Sequence, residues 1–186
     1  QTEVPDETHL ITVLQRLLAP SYRAGQLPQL LQDGLAARLP VKDYRAWLAK
    51  LPPAVQQAIT SAWGTPEKSP WVLRQGGEDF FVIPRLQLGH ITLLPQPGRG
   101  GLPPGNTDAR AKEKELYHST TALPPHHYLA SYLWMRQQAD ALVHFGTHGT
   151  QEWLPGKERG LSVYDAPLLA LGDIPVAYPY IADNIG

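Results

Sequence analysis

Leucine spacing sets the rhythm of the first third of the chain. Leu10, Leu14, Leu17 and Leu18 stand at i, i+4, i+7 and i+8, one face of a helix that Pro20 ends. Leu27, Leu30, Leu31, Leu35 and Leu39 predict a second helix before Pro40, weakened by Gly34. Tyr44, Trp47, Leu48 and Leu51 predict a third. Pro53, suited to a first helical turn, opens a fourth through Val55, Ile59 and Trp63. These segments read as a packing layer, with no chemistry visible in them.

The pattern changes at Pro66. Trp71 to Leu73 and Phe80 to Ile83 flank Gln75-Gly76-Gly77-Glu78 and predict a β-hairpin, and His90 to Leu94 a third strand. From Pro95 to Ala109, eight of 15 residues are proline or glycine, which predicts a long loop. Arg110 to Glu115 reads as a solvated helix face. Pro124-Pro125 opens a helix whose apolar face is Tyr128, Leu129, Tyr132 and Leu133. The run 141–146 reads as a buried strand, Leu168 to Leu171 as a helix, and Val176 to Ile181 as a strand at a sheet edge because of Pro179. Helix, strand and glycine-rich turn follow one another in an α/β rhythm. The expected fold class is therefore α/β: a helical layer over residues 1–65, then a mixed α/β sheet segment over 66–186.

Composition narrows the function. The chain has 186 residues, no cysteine and a formal net charge of −1. Disulfides, thiolate metal sites and a cysteine nucleophile are thereby excluded, and the basic footprint of a nucleic-acid binder is missing. No apolar run is long enough to span a membrane. With no signal-type start, the expected location is the cytoplasm. Proline is abundant, at 19 residues, and the single methionine is Met135. A start at Gln1 and a stop at Gly186 just after a strand-like run point to an internal piece of a longer multidomain chain.

Polar groups converge at His144-Phe145-Gly146-Thr147-His148-Gly149-Thr150-Gln151-Glu152-Trp153-Leu154-Pro155-Gly156-Lys157. Strand ends followed by glycine-rich turns are where α/β folds place ligands. His144, His148 and Glu152 lie at i, i+4 and i+8, but Gly146 and Gly149 argue for a strand ending near His144, with His148 on the turn and Glu152 entering a helix. Six residues separate Gly149 from Gly156-Lys157 and Glu158 follows, so this is no phosphate-binding Walker loop; nor does Gly98-Arg99-Gly100, with Pro103 beyond it, make a dinucleotide fingerprint. Imidazole with carboxylate suits zinc, cobalt, iron or nickel, and the same pair suits proton transfer. Each residue also has a plainer reading. His144 fits a hydrogen-bonded core histidine, Glu152 a helix start, Lys157 a solvated charge, and His126-His127 the start of the helix after Pro125. Spacing alone leaves a metal or acid–base site.

The same segment resembles the signature of the large subunits of tetrapyrrole metal chelatases, the aerobic cobaltochelatase and magnesium chelatase H family. Leu123-Pro124-Pro125-His126-His127-Tyr128-Leu129-Ala130 resembles its Pro-His-His segment, and Gln96-Pro97-Gly98-Arg99-Gly100 its Gln-Pro-x-Arg-Gly loop. Ala139 to Val143, Leu171-Gly172-Asp173-Ile174-Pro175 and Tyr178-Pro179-Tyr180-Ile181 fall in the family's order, so the likeness covers about residues 70 to 186. Glu152-Trp153-Leu154-Pro155 and the Tyr-Pro-Tyr-Ile run are more similar to the cobalt branch.

The resemblance implies a tetrapyrrole-binding subunit that inserts a divalent metal, expected to be cobalt, into a corrinoid precursor of cobalamin. It also implies ATP hydrolysed by separate partner subunits and not bound by this chain. His144, His148 and Glu152 become the candidate metal ligands, Glu152 and His148 the catalytic pair, and His126, His127, Arg99 and Lys157 candidate substrate contacts. The alternatives are a magnesium chelatase H-type protein acting on protoporphyrin and a carrier module without catalysis. The isolated piece is expected to be inactive.

Overall fold

The computed structural model describes residues 6–18, 25–100, 115–116, 119–146, 153–156 and 161–179. Helix α1 (Glu7–Leu18) turns Val13 and Leu17 inward, and its first turn is capped by Asp6, whose Oδ1 accepts from the His9 N–H at 2.8 Å. Helix α2 (Gln26–Gln32) buries Leu27 and Leu30.

The second predicted helix does not continue to Leu39. It stops at Gln32, and Gly34 turns the chain with φ at +71°, a left-handed value that glycine adopts without a Cβ clash. Leu35 is buried at the turn, and β1 (Ala36–Pro40) follows as a strand. The spacing of four between Leu35 and Leu39 fits a period of two as well as a period of 3.6. In the strand Leu39 is buried, while Arg38 points outward and lies 4.6 Å from the centroid of Phe80.

Helix α3 (Val41–Leu48) and helix α4 (Pro53–Trp63) form where expected, the latter with proline in its first turn. The hairpin is also present. β2 (Val72–Gln75) and β3 (Glu78–Pro84) pair antiparallel with Gln75 opposite Glu78. The two linking residues, Gly76 and Gly77, both have positive φ, as a tight turn matched to strand twist requires. β1 pairs on the other side, so β3 is the central strand of three. Its consecutive residues Phe80, Phe81, Val82 and Ile83 are all buried, as in a strand covered on both faces. The strand expected at 90–94 is β5 (Ile91–Leu93), and it pairs with β4 (Leu86–Leu88), not with the first hairpin.

Helix α5 (His126–Gln138) departs from the single apolar face expected of it. His126 through Met135 are all buried, so the helix runs through the core instead of lying on it. Its polar groups are accommodated locally; Ser131 Oγ, for example, donates to the His127 carbonyl at 2.9 Å. β6 (Leu142–Val143) and β7 (Val176–Ala177) pair in parallel, joined through α6 (Ala166–Leu171), which packs on α5. Both strands are shorter than expected, and Tyr180 and Ile181 lie outside the described residues. One apolar core runs from Val13 to Ala170 and crosses the composition change at Pro66.

Arg136 links α5 to the end of α6, donating from Nη1 to the carbonyls of Leu169 at 3.0 Å and Ala170 at 3.4 Å. Gly172, with φ at +62°, follows, and a Cβ there would come 2.6 Å from Cζ of Arg136. Gly172→Ala is therefore expected to cost about 2 kcal/mol, from left-handed strain plus displacement of this capping guanidinium. Thermal unfolding of this chain checks it, as a drop of roughly 4–8 °C.

Candidate functional site

The site is built on the buried helix α5. His126 and His127 form its first turn and face different neighbours. His126 Nε2 meets the Gly64 carbonyl at 3.0 Å and its Nδ1 the Tyr44 hydroxyl at 2.9 Å. A carbonyl only accepts, so Nε2 carries the proton and Nδ1 accepts from Tyr44. Burial holds His126 below the ordinary imidazole range and pushes the Tyr44 phenol up, so both stay neutral. His127 donates from Nε2 to the Gly98 carbonyl at 2.9 Å and stacks on Trp71, with centroids 4.9 Å apart and planes 12° from parallel. It is 3% exposed, and burial pushes its pKa down to about 3. Its Nδ1 is then an acceptor with no hydrogen-bond partner.

Arg99 is 2% exposed. It donates from Nη2 to the Ala122 carbonyl at 2.9 Å and from Nη1 to the Trp153 carbonyl at 3.4 Å. Three of the expected substrate contacts, Arg99, His126 and His127, are thus engaged with the protein's own backbone. They tie the Gln96–Gly100 loop, the turn at Gly64 and the approach to α5 into one block, and Arg99 fastens the signature at Trp153. Leu154, beside it, is fully buried. Arg99→Met is expected to cost about 2–3 kcal/mol, because it leaves buried carbonyls without their charged donor while keeping the side-chain volume. Urea unfolding of this chain measures the loss.

His144 follows β6, and its backbone N–H donates to the Ala177 carbonyl at 2.8 Å. Its Nε2 lies 3.1 Å from the Tyr132 hydroxyl, and its ring makes edge contacts with Tyr132 and Tyr178. Tyr132 also meets Gln96, whose Nε2 lies 3.1 Å from the hydroxyl. The Gln-Pro loop, α5 and the start of the signature therefore meet at one buried phenol. His148, Glu152 and Lys157 lie outside the described residues. Among the described residues no group of three or more acidic, histidine or cysteine side chains is placed to hold a metal ion.

Sequence reasoning singled out His144 and named Tyr132 and Gln96 only as part of a helix face and a motif. It missed Tyr44 and Trp71, which carry no local signal because they reach the site from distant elements. Among the described residues no helix is long and apolar enough to cross a membrane.

Comparison with known proteins agrees with the likeness read from the signature. An aerobic cobaltochelatase subunit CobN from Sinorhizobium sp is 38% identical over 80% of this chain and 11% of its own length. The H protein of magnesium chelatase from Rhodobacter capsulatus is 30% identical over 94% of this chain and 15% of its own. The solved structure of the catalytic subunit of cobaltochelatase from Mycobacterium tuberculosis superposes with a TM-score of 0.66 at 32% identity, covering 92% of this chain and 16% of that one. This chain thus spans between a tenth and a sixth of the length of these relatives. The family described as CobN/Magnesium Chelatase matches residues 1–186, including the helical first third that bears no legible signature, and the chain belongs to that family.

Proposed function

We propose that this chain is part of the tetrapyrrole-binding large subunit of an ATP-dependent metal chelatase that inserts cobalt into a corrinoid. The observation that carries the cobalt reading is the gradient of identity: 38% and 39% to two cobaltochelatase subunits against 30% and 27% to two magnesium-chelatase H proteins. The magnesium reading is kept as the second because those two H proteins align with more of the chain, 94% and 95% against 80% and 81%.

Insertion has two chemical requirements. A partly dehydrated divalent ion must be held near the ring, and two pyrrole N–H protons must leave as it enters. His148 holds the ion, and Glu152 takes protons or shares the ion. His144 acts with them as a second ligand or an orienting group. Lys157 pairs with carboxylate or amide groups of the macrocycle. Arg99, His126 and His127 serve the site by fixing the loop and the first turn of α5. ATP is hydrolysed by partner subunits, in keeping with the failed nucleotide motifs.

The test supplies the full-length subunit and its ATPase partners with ATP, a metal-free corrinoid or porphyrin, and Co(II) or Mg(II). Cobalt appearing in the corrinoid supports the reading. Magnesium appearing only in the porphyrin replaces it with the second reading. Tetrapyrrole binding without insertion of either metal identifies a carrier.

A further inference from the structure

We infer that Tyr132 and Gln96 hold His144 in the tautomer that carries its proton on Nδ1, making His144 a hydrogen-bond donor to the site and not a metal ligand. Gln96 Nε2, which only donates, lies 3.1 Å from the Tyr132 oxygen. The reverse arrangement, with the Tyr132 hydroxyl donating to Gln96 Oε1, has the longer distance of 3.5 Å. With its oxygen accepting from Gln96, the phenol has one proton to give, and His144 Nε2 lies 3.1 Å away to receive it. An imidazole nitrogen that accepts a hydrogen bond bears no hydrogen, so in the neutral ring the proton sits on Nδ1.

The phenol is well suited to this duty. It is buried, and burial pushes its pKa up while side-chain bonds from Gln96 and Tyr128 oppose the shift. Edge contacts with Tyr132 and Tyr178 fix the ring orientation of His144. With Nε2 occupied and Nδ1 protonated, neither nitrogen offers a lone pair to a divalent ion. What the ring offers is an N–H, suited to a carboxylate or carbonyl oxygen on the enzyme or the substrate. Tyr132 and Gln96 become positioning residues. The consequence for metal insertion rests on the chelatase reading, whereas the tautomer itself does not.

The test is long-range nitrogen-15 NMR of the histidine rings in this chain, without metal. It distinguishes a protonated from an unprotonated ring nitrogen. The wild-type His144 signal is expected to show a hydrogen-bearing Nδ1 and a bare Nε2. Tyr132→Phe removes the donor, and Gln96→Glu replaces the donating amide with a carboxylate that turns the Tyr132 proton toward itself. Each is expected to move the hydrogen to Nε2, with backbone amide spectra confirming that the fold is kept. A wild-type ring with hydrogen on Nε2 overturns the inference whether or not the variants fold. An Nδ1 proton that stays in both folded variants overturns the roles of Tyr132 and Gln96. An absence of metal insertion in the assay above would instead refute the chelatase reading and leave the tautomer as measured.

Discussion

Glu152→Gln in the full-length subunit is expected to lower the rate of metal insertion by about a hundredfold or more, while leaving tetrapyrrole binding nearly unchanged. The two pyrrole protons must go somewhere as the metal enters, and the acceptor proposed above is the Glu152 carboxylate of the signature. Glutamine keeps the size and the hydrogen bonding of the side chain but cannot take a proton. A loss of rate with retained binding therefore isolates the proton-transfer role. His148→Ala is expected to fall by a similar factor, since it removes the imidazole proposed to hold the ion. Stopped assays with Co(II), ATP and partner subunits give the rate, and quenching of tetrapyrrole fluorescence or absorbance gives the binding. Insertion at the wild-type rate in both variants would refute the assignment.

The second large effect is on stability. His127 is buried neutral, with its pKa near 3 against an ordinary 6.5. Because the folded state resists protonation, the unfolded chain binds the extra proton between these two values. The contribution of His127 is thus complete above pH 6.5 and is lost progressively as pH falls toward 3, at about 1.4 kcal/mol per pH unit. His127→Gln keeps a donor for the Gly98 carbonyl but has nothing to titrate. The variant is expected to be less stable than wild type at pH 7, having lost the stack on Trp71. Between pH 6.5 and 5, however, wild type should lose about 2 kcal/mol more than the variant does. His126, also held low by burial, is present in both proteins and cancels in the difference. Urea unfolding at the two pH values measures it. Equal pH slopes would mean that His127 takes up its proton in the fold as readily as in the unfolded chain, and would overturn its burial as a neutral ring.

Much of this was legible in the chain itself. Pro53 and the apolar spacing to Trp63 placed α4, and the Gly-Gly pair between two apolar runs placed the first hairpin, since these signals are local: a fixed φ, a missing Cβ, a periodicity. The signature at 144–157, with the Gln-Pro and Pro-His-His segments before it, identified the family because several motifs fell in one order. What failed was whatever depended on partners far away in sequence. The Leu35–Leu39 spacing is compatible with helix and strand alike, and pairing with β3 decided it. The stripe on α5 named one face, while the sheet, α6 and the surrounding loops buried the others. The family resemblance made His126, His127 and Arg99 candidate substrate contacts. Tertiary structure set them against the carbonyls of Gly64, Gly98, Ala122 and Trp153, and no local pattern encodes which carbonyl will be left needing a donor. Sequence alone thus determined the residue types available for chemistry, the order of the motifs and the family. Tertiary structure decided which of those polar groups hold the protein together and which nitrogen of His144 is committed, because hydrogen-bond satisfaction in a core is settled only when distant segments meet.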